Sequence, residues 1–394
     1  MINDYLNDPY LGSSPRATVF HAIRQWIHRG ELTYMDVLPT EQQLAERFQV
    51  ARGTVRLALE ELNQEGVITR KGRRRVVAIQ PGRLPDQTTA PSLLADTVVV
   101  LIEDPVQPIP SLWPGSTWMI EFAVTESVGM NKANCLKVDP HRVKGDKLRE
   151  LINAQPKGFI AFRDFGMHQA ALPVLHEIKT AGLPLVVYGY EDVLKEYDTV
   201  TSDQEQGCYL LTRFLIDRGC RRILRYWEKS RKLSNIPGWL KQRNVGYERA
   251  MHEAGLEPLE PFECDELPFY PHNQAEFDMR VTYTAGKLTE ILNTRGPVDA
   301  VMTLSDDYTY YMSAACHIHR LQPNRDIAIV GYDNYWFNTD LKKFYDPVPL
   351  CATIDRCNRR VGWEMVNLLM QRADDELEPV PTHSQVEPEL MVVE

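Results

Sequence analysis

Arg52 and Arg56 lie four residues apart, with Thr54 between them. On a helix that spacing puts both guanidinium groups on one face, and at a helix N-terminus the open backbone N–H groups point the same way. Arginine can hold guanine O6 and N7 with two hydrogen bonds, so the chemistry open to this trio is base reading in a major groove. A second cationic group follows. Lys71, Gly72, Arg73 and Arg74 join two alternating runs, 67–70 and 75–79, and a hairpin tipped with that much charge suits phosphate or minor-groove contact. Arg52 alone would carry no inference, because exposed arginines are common on solvated helices; the constellation does.

The rest of the chain offers different chemistry. Hydroxyl-rich ligands are held by acceptor carboxylates, arginine donors and aromatic faces. Trp113 and Trp118 flank the loop after the first strand of this region, Trp227 ends a later strand, and Trp336 and Phe337 follow Asp333. Trp113 and Trp336 are the first candidates for stacking on a sugar ring, against ordinary packing as the competing role. Catalytic patterns are poor by comparison. Asp306 and Asp307 are adjacent and would point about 100° apart on a helix, and His317-x-His319 lacks the four-residue spacing that suits helical metal binding. No phosphate-cradling glycine loop and no nucleophile elbow is present. Neither a metal nor a cofactor is expected. The alternative, a DNA-binding head on an enzymatic body such as a pyridoxal-phosphate-dependent aminotransferase, needs a Schiff-base lysine, and none stands out.

The elements that must position these residues follow from periodicity. Pro15 opens a helix carrying Phe20, Ile23 and Ile27 and ending near Gly30. Thr40 and Gln43 form a capping box before a second helix that buries Leu44, Ala45 and Phe48. A short turn through Gln49 and Val50 leads to a third helix with Val55, Leu59 and Leu62 inward and Gly66 as its stop. Residues 1–14 read as an N-terminal arm, 15–79 as a winged helix-turn-helix (α+β), and 80–96, with three prolines, as an extended linker. Over residues 97–394 apolar runs such as Thr97–Ile102, Gly158–Phe162 and Leu185–Tyr188 alternate with helical stretches. A second series starts near Arg221 and continues through Asp299–Leu304 and Ile327–Val330. Strands alternating with helices predict an α/β body of two lobes with doubly wound parallel sheets, and a ligand cleft between them.

Composition agrees. The chain of 394 residues is 43% hydrophobic and 25% charged with a net charge of −10. Residues 1–85 hold 12 Lys and Arg against 9 Asp and Glu, a net +3, which leaves −13 for the remainder. A basic head on an acidic body steers the head toward a phosphate backbone. Seven scattered cysteines without a C-x-x-C pair point to reduced thiols. The start lacks a basic and then apolar leader and no run is long enough to span a bilayer, so a cytoplasmic protein without membrane attachment is expected.

Two family resemblances sharpen these expectations. LPTEQQLAERFQVARGTVRLALEELNQEGVI resembles the most specific stretch of the GntR family's DNA-binding domain. That resemblance implies a homodimer on palindromic double-stranded operator DNA, with contacts from Thr40, Glu41, Gln42, Arg52, Gly53, Thr54 and Arg56, and from Lys71, Gly72, Arg73 and Arg74 in the wing. Ala51 stands where the family usually has serine, so that side-chain cap is missing, and the wing, GRRRVV, has more charge and less glycine than usual. Further on, TVTSDQEQGCYLLTRFLIDRGCRRILRY, RNVGYERAMHEAGL, VDAVMTLSDDYTYYMSAAC, DIAIVGYDN and PELMVVE are similar, in order, to the effector domain of the lactose-repressor/galactose-repressor family, a periplasmic-binding-protein-like fold. The resemblance implies a small-molecule effector, a sugar or sugar derivative. Arg243 takes the place of the ligand-gripping arginine and Asp333 that of the acid reaching sugar hydroxyls. Ser305 or Asp306 falls at an Asn-Asp position, and Asp203 matches the acid before the lobe-crossing helix. The arrangement is similar to that of the arabinose repressors, and the function implied is a ligand-responsive bacterial transcription regulator, a repressor.

Overall fold

The computed structural model describes residues 15–28, 32–64, 67–71, 74–78, 94–102, 116–162, 172–229, 236–265, 267 and 269–393. The N-terminal arm, most of the linker, Gly66, Gly72, Arg73 and Trp113 lie outside them. The chain divides into two compact units, Met1–Pro91 and Ser92–Glu394.

In the first unit, helices α1 (Pro15–His28), α2 (Glu41–Phe48) and α3 (Arg52–Gln64) precede an antiparallel pair, β1 (Ile68–Lys71) and β2 (Arg74–Val77). Their apolar faces meet in one core containing Val19, Ile23, Leu44, Val55, Leu59, Leu62, Ile68 and Val77. Phe48 is only half-buried and stacks on Trp26, with the ring centroids 5.6 Å apart. Ladder pairing reaches Lys71 opposite Arg74, so the connection is shorter than the alternation suggested. Residues 35–38 run along the far side of β2: Val77 N–H donates to the Asp36 carbonyl and Leu38 N–H to the Arg75 carbonyl.

The second unit holds two six-stranded sheets. The first lobe uses β3 (Thr97–Leu101), β4 (Asn134–Val138), β5 (Gly158–Phe162), β6 (Leu185–Tyr188) and β7 (Asp198–Ser202), with α4 (Ser116–Met130), α5 (Asp146–Asn153) and α6 (Leu172–Thr180) between them. The chain then enters α7 (Gln204–Asp217) and the second lobe: β8 (Ile223–Lys229), α8 (Gly238–Glu253), β9 (Phe262–Asp265), α9 (Gln274–Arg295), β10 (Ala300–Thr303), α10 (Asp306–Ile318), β11 (Ala328–Val330) and β12 (Ala352–Asp355). Helix α11 (Asn358–Ala373) returns to pack on α4 and the first sheet, and β13 (His383–Val386) and β14 (Glu389–Val392) finish one sheet each.

Sheet orders are β13-β7-β6-β5-β3-β4 and β14-β12-β11-β10-β8-β9, parallel throughout except where β14 pairs with β12. In both lobes the first strand lies inside the sheet. The strand order therefore reverses beside it and opens a crevice at the carboxyl ends, where doubly wound sheets take ligands. Three crossovers join the lobes: β7 into α7, β12 into α11, and β13 into β14. Five of the seven cysteines are buried and all are free thiols; burial pushes the Cys208 thiol up to about 11. Among the described residues no helix is long and apolar enough to cross a membrane.

Helices α7 and α8 pack closely because Gly246 has no side chain: a Cβ there would sit 2.0 Å from the Glu205 carbonyl oxygen. Gly246→Ala must push the helices apart and is expected to cost about 1–3 kcal/mol. Gly286→Ala on α9, where a Cβ meets nothing within 4 Å, is expected to add about 0.5–1 kcal/mol through helix propensity. Urea unfolding followed by circular dichroism separates them, and equal midpoints would contradict the packing argument.

Candidate DNA-binding face and effector site

The head's cationic face is built from the capping of two helices. Thr40 Oγ1 accepts from the Gln43 backbone N–H at 3.3 Å, while Gln43 Oε1 accepts from the Thr40 backbone N–H at 2.9 Å, so the capping box fixes where α2 begins. Gln49 ends α2 in the left-handed region, φ 52°, and turns the chain sharply into α3. The Ala51 carbonyl takes the Thr54 and Val55 N–H groups at 2.9 and 3.3 Å. It does so without a side-chain oxygen to cover the first turn.

Arg52 and Gly53 are exposed at that turn, Thr54 is half-buried, and the Arg56 side chain is 56% exposed. Arg56 Nη2 lies 3.1 Å from Glu41 Oε2, and Arg75 Nη2 lies 3.4 Å from Glu41 Oε1. One carboxylate of α2 thus ties the recognition-helix candidate to the base of the wing. The Arg56 hydrogen bond is the main cause holding the Glu41 carboxyl below its usual range. Gln42 donates to Glu46 at 3.2 Å. Lys71 and Arg74, opposite each other at the wing's described end, are both exposed.

In the body, the sequence candidates gather around the carboxyl ends of the second sheet and the crossovers. Arg243, on α8, is only 2% exposed. Its Nε donates to Gln204 Oε1 at 2.8 Å and its Nη1 to the Leu304 carbonyl, just past β10, at 2.7 Å. The guanidinium carbon sits 3.4 Å from the centroid of the Tyr332 ring and 4.8 Å from that of Trp239. Asp333 follows β11 with φ +91°, a conformation that costs a non-glycine residue energy and is retained only where its surroundings compel it. Its Oδ1 lies 2.8 Å from Arg356 Nε and 3.7 Å from Arg243 Nη2. One carboxylate is therefore held between two buried guanidinium groups.

Asp306 lies beneath this loop. Fully buried, it accepts from the Tyr335 and Trp336 backbone N–H groups at 2.8 and 3.0 Å and from Thr353 Oγ1 at 2.7 Å. Burial pushes its pKa up to about 8 against the pull of those donors. Its oxygens hold the backbone after Asp333. Ser305 Oγ donates to Asp307 Oδ1, which also accepts from the Tyr335 hydroxyl at 2.6 Å. Asp203 caps α7, accepting from the Gln206 N–H at 2.8 Å.

Of the aromatic candidates, Trp336 is 4% exposed and stacks on Tyr310 at 5.6 Å between centroids, whereas Phe337 is 62% exposed. Trp227 belongs to the core and donates through Nε1 to Asn244 at 3.1 Å. Trp118 is exposed and stacks on Phe122. Arg356, Gln204, Tyr190 and Tyr332 were not singled out by sequence reasoning. Arg356 could have been, since it directly follows a strand that ends at the crevice.

Residues 15–77 match the family described as bacterial regulatory proteins, gntR family, and residues 212–393 match the periplasmic binding protein-like domain. The chain is similar to the HTH-type transcriptional repressor PurR of Vibrio campbellii, 27% identical over 219 residues, which is 53% of this chain and 56% of that protein. It is likewise similar to the PurR of Pasteurella multocida, 30% identical over 201 residues, 50% of this chain and 52% of that one. It spans about half the length of the curated relatives it matches. Among solved structures it resembles a LacI-family regulatory protein from Chloroflexus aggregans, with a TM-score of 0.58 at 21% identity, covering 75% of this chain and 97% of that chain. The transcriptional regulator CelR in complex with cellobiose gives 0.56 at 20%, covering 90% and 99%. A LacI-family regulator from Enterococcus faecium with bound ribose gives 0.52 at 18%, covering 75% and 96%. At these identities the likeness establishes the fold. The capped helices, the wing and the two crevice-bearing lobes thus resolve into a GntR-type helix-turn-helix domain followed by a periplasmic-binding-protein-like body, the fold of LacI-family regulators.

Proposed function

We propose that this chain is a ligand-responsive transcription regulator, a repressor, that binds a palindromic operator as a homodimer and takes a small sugar or sugar derivative in the crevice of its body. The observation that carries the reading is the array around Arg243. A buried guanidinium faces a carboxylate whose backbone is held at positive φ at the crevice, and it is bonded to Gln204 at the first crossover between lobes. Cellobiose and ribose, the sugars bound in two of the similar structures, support the ligand class.

The physical steps are short. In the head, Arg52 and Arg56 read base edges while Lys71, Arg73 and Arg74 meet phosphates, and Thr40, Glu41 and Gln42 set the entry of α2. In the body, Arg243 donates to ring or hydroxyl oxygens, Asp333 accepts from hydroxyls, and Asp306 keeps the Asp333 loop in place. Lobe closure on the sugar changes the dimer, and operator and sugar affinities are then reciprocally coupled. The head then comprises residues 15–79, the linker 80–96 and the sensing and dimerisation body 97–394.

Fluorescence anisotropy on native promoter DNA and on scrambled DNA of equal length tests the reading: no specific, salt-sensitive binding by the full chain would overturn it. Arg52→Ala and Arg56→Ala are each expected to lose about 1–3 kcal/mol on the operator and much less on scrambled DNA; equal losses would make them phosphate contacts. Glu41→Gln, which releases Arg56 and Arg75 from their shared partner, is expected to raise affinity for scrambled DNA and shrink the specificity ratio; a ratio unchanged from wild type would count against Glu41 as their restraint. Arg243→Ala is expected to erase the thermal shift caused by whichever monosaccharide or sugar phosphate stabilises the wild-type chain, while sugar-free operator binding persists. A retained shift would remove Arg243 from the site.

A further inference from the structure

Gln204 is the first residue of α7, at the first crossover, and its side chain is fully buried. Both ends of its amide are used, by different lobes. Oε1 accepts from Arg243 Nε at 2.8 Å in the second lobe, and Nε2 donates to the Tyr190 hydroxyl of the first lobe at 3.0 Å. Tyr190 in turn donates to the Ser202 carbonyl, at the end of β7, at 3.1 Å. The lobes also touch through backbone here. A Cβ on Gly238, where α8 begins, would lie 2.4 Å from the Tyr190 carbonyl oxygen, and Arg243 stands five residues further along the same helix.

We infer that Gln204 is a positioning residue that ties the orientation of the Arg243 guanidinium to the placement of the first lobe. The inference rests on Arg243 being the effector's grip, as proposed above. Its physical basis is the penalty for stranding a buried polar atom. Arg243 cannot turn toward a ligand and away from Gln204 without leaving Oε1 unserved. The first lobe cannot carry Tyr190 away without leaving Nε2 unserved. A buried amide shared in this way is an element that both sites bias, the condition for physical coupling between them. The carboxylate of Asp203, next to it, caps α7, and its backbone N–H donates to the Val386 carbonyl of β13 at 3.0 Å.

The test uses the full chain with spin labels on reactive amino acids incorporated at Glu177 and Asn293, exposed positions on α6 of the first lobe and α9 of the second, which leaves the native cysteines untouched. Pulsed electron paramagnetic resonance reads the distance between lobes. In the sugar-free chain, Gln204→Leu keeps the side chain's bulk without donor or acceptor and is expected to broaden the distance distribution and add longer separations. Tyr190→Phe, which removes one oxygen, is expected to do the same, and the double variant to do no more than either alone. A folded Gln204→Leu chain with the wild-type distribution, or additive broadening in the double variant, overturns the inference. Should Gln204→Leu fail to fold, an unchanged distribution in Tyr190→Phe overturns it equally. Operator binding by the labelled wild-type chain keeps the two readings apart. Its loss removes the regulator, whereas intact binding with unchanged lobe distances removes only the coupling.

Discussion

An arginine cannot shed its charge at any physiological pH, so burying one commits everything around it. At Arg243 the commitment is met from four directions: the Gln204 amide, the Leu304 carbonyl, the Asp333 carboxylate and the face of Tyr332. Those partners come from α7, the end of β10 and the loop after β11, elements that meet only once the second lobe is in place. Removing one member of a buried charge pair costs about 3–5 kcal/mol because the other charge is left uncompensated. That magnitude explains why the Asp333 backbone stays in a conformation that a lone aspartate would leave, and why Asp306 holds the loop's amides with one oxygen while Thr353 serves the other.

The head solves the opposite problem. Arg56 stays exposed and charged, as the proposed contact with a polyanion requires, yet must not wander. Glu41 restrains Arg56 and Arg75 at 3.1 and 3.4 Å, distances at which partly exposed pairs contribute little to stability. What they supply is direction, a fixed fan of donors along the first turn of α3 and the root of the wing.

How much of this the sequence disclosed depends on the range of the forces involved. The inner strands TVVVL, GFIAF and LVVY are buried on both faces and read as continuous apolar runs, so the body's architecture was plain. The edge strands HSQV and FECD carry polar residues and gave no such run. The capping box was legible because its members are three residues apart. Gln204 was not, because its partners lie 14 and 39 residues away, and no local pattern encodes a contact of that span. Trp336 and Phe337 show the limit in miniature. Two adjacent aromatics look alike in a sequence, and only packing decides that one enters the core while its neighbour faces solvent.

The sheet orders carry a consequence for the chain's manufacture. Strands β13 and β14 cover the open edges of β7 and β12, so neither sheet is finished until residues 383–392 have been synthesised. The head's core asks for nothing beyond Val77. On a ribosome that builds from the N-terminus, the head's core can close while most of the body is still untranslated, and two strand edges stay unpaired until residues 383–392 arrive to close them.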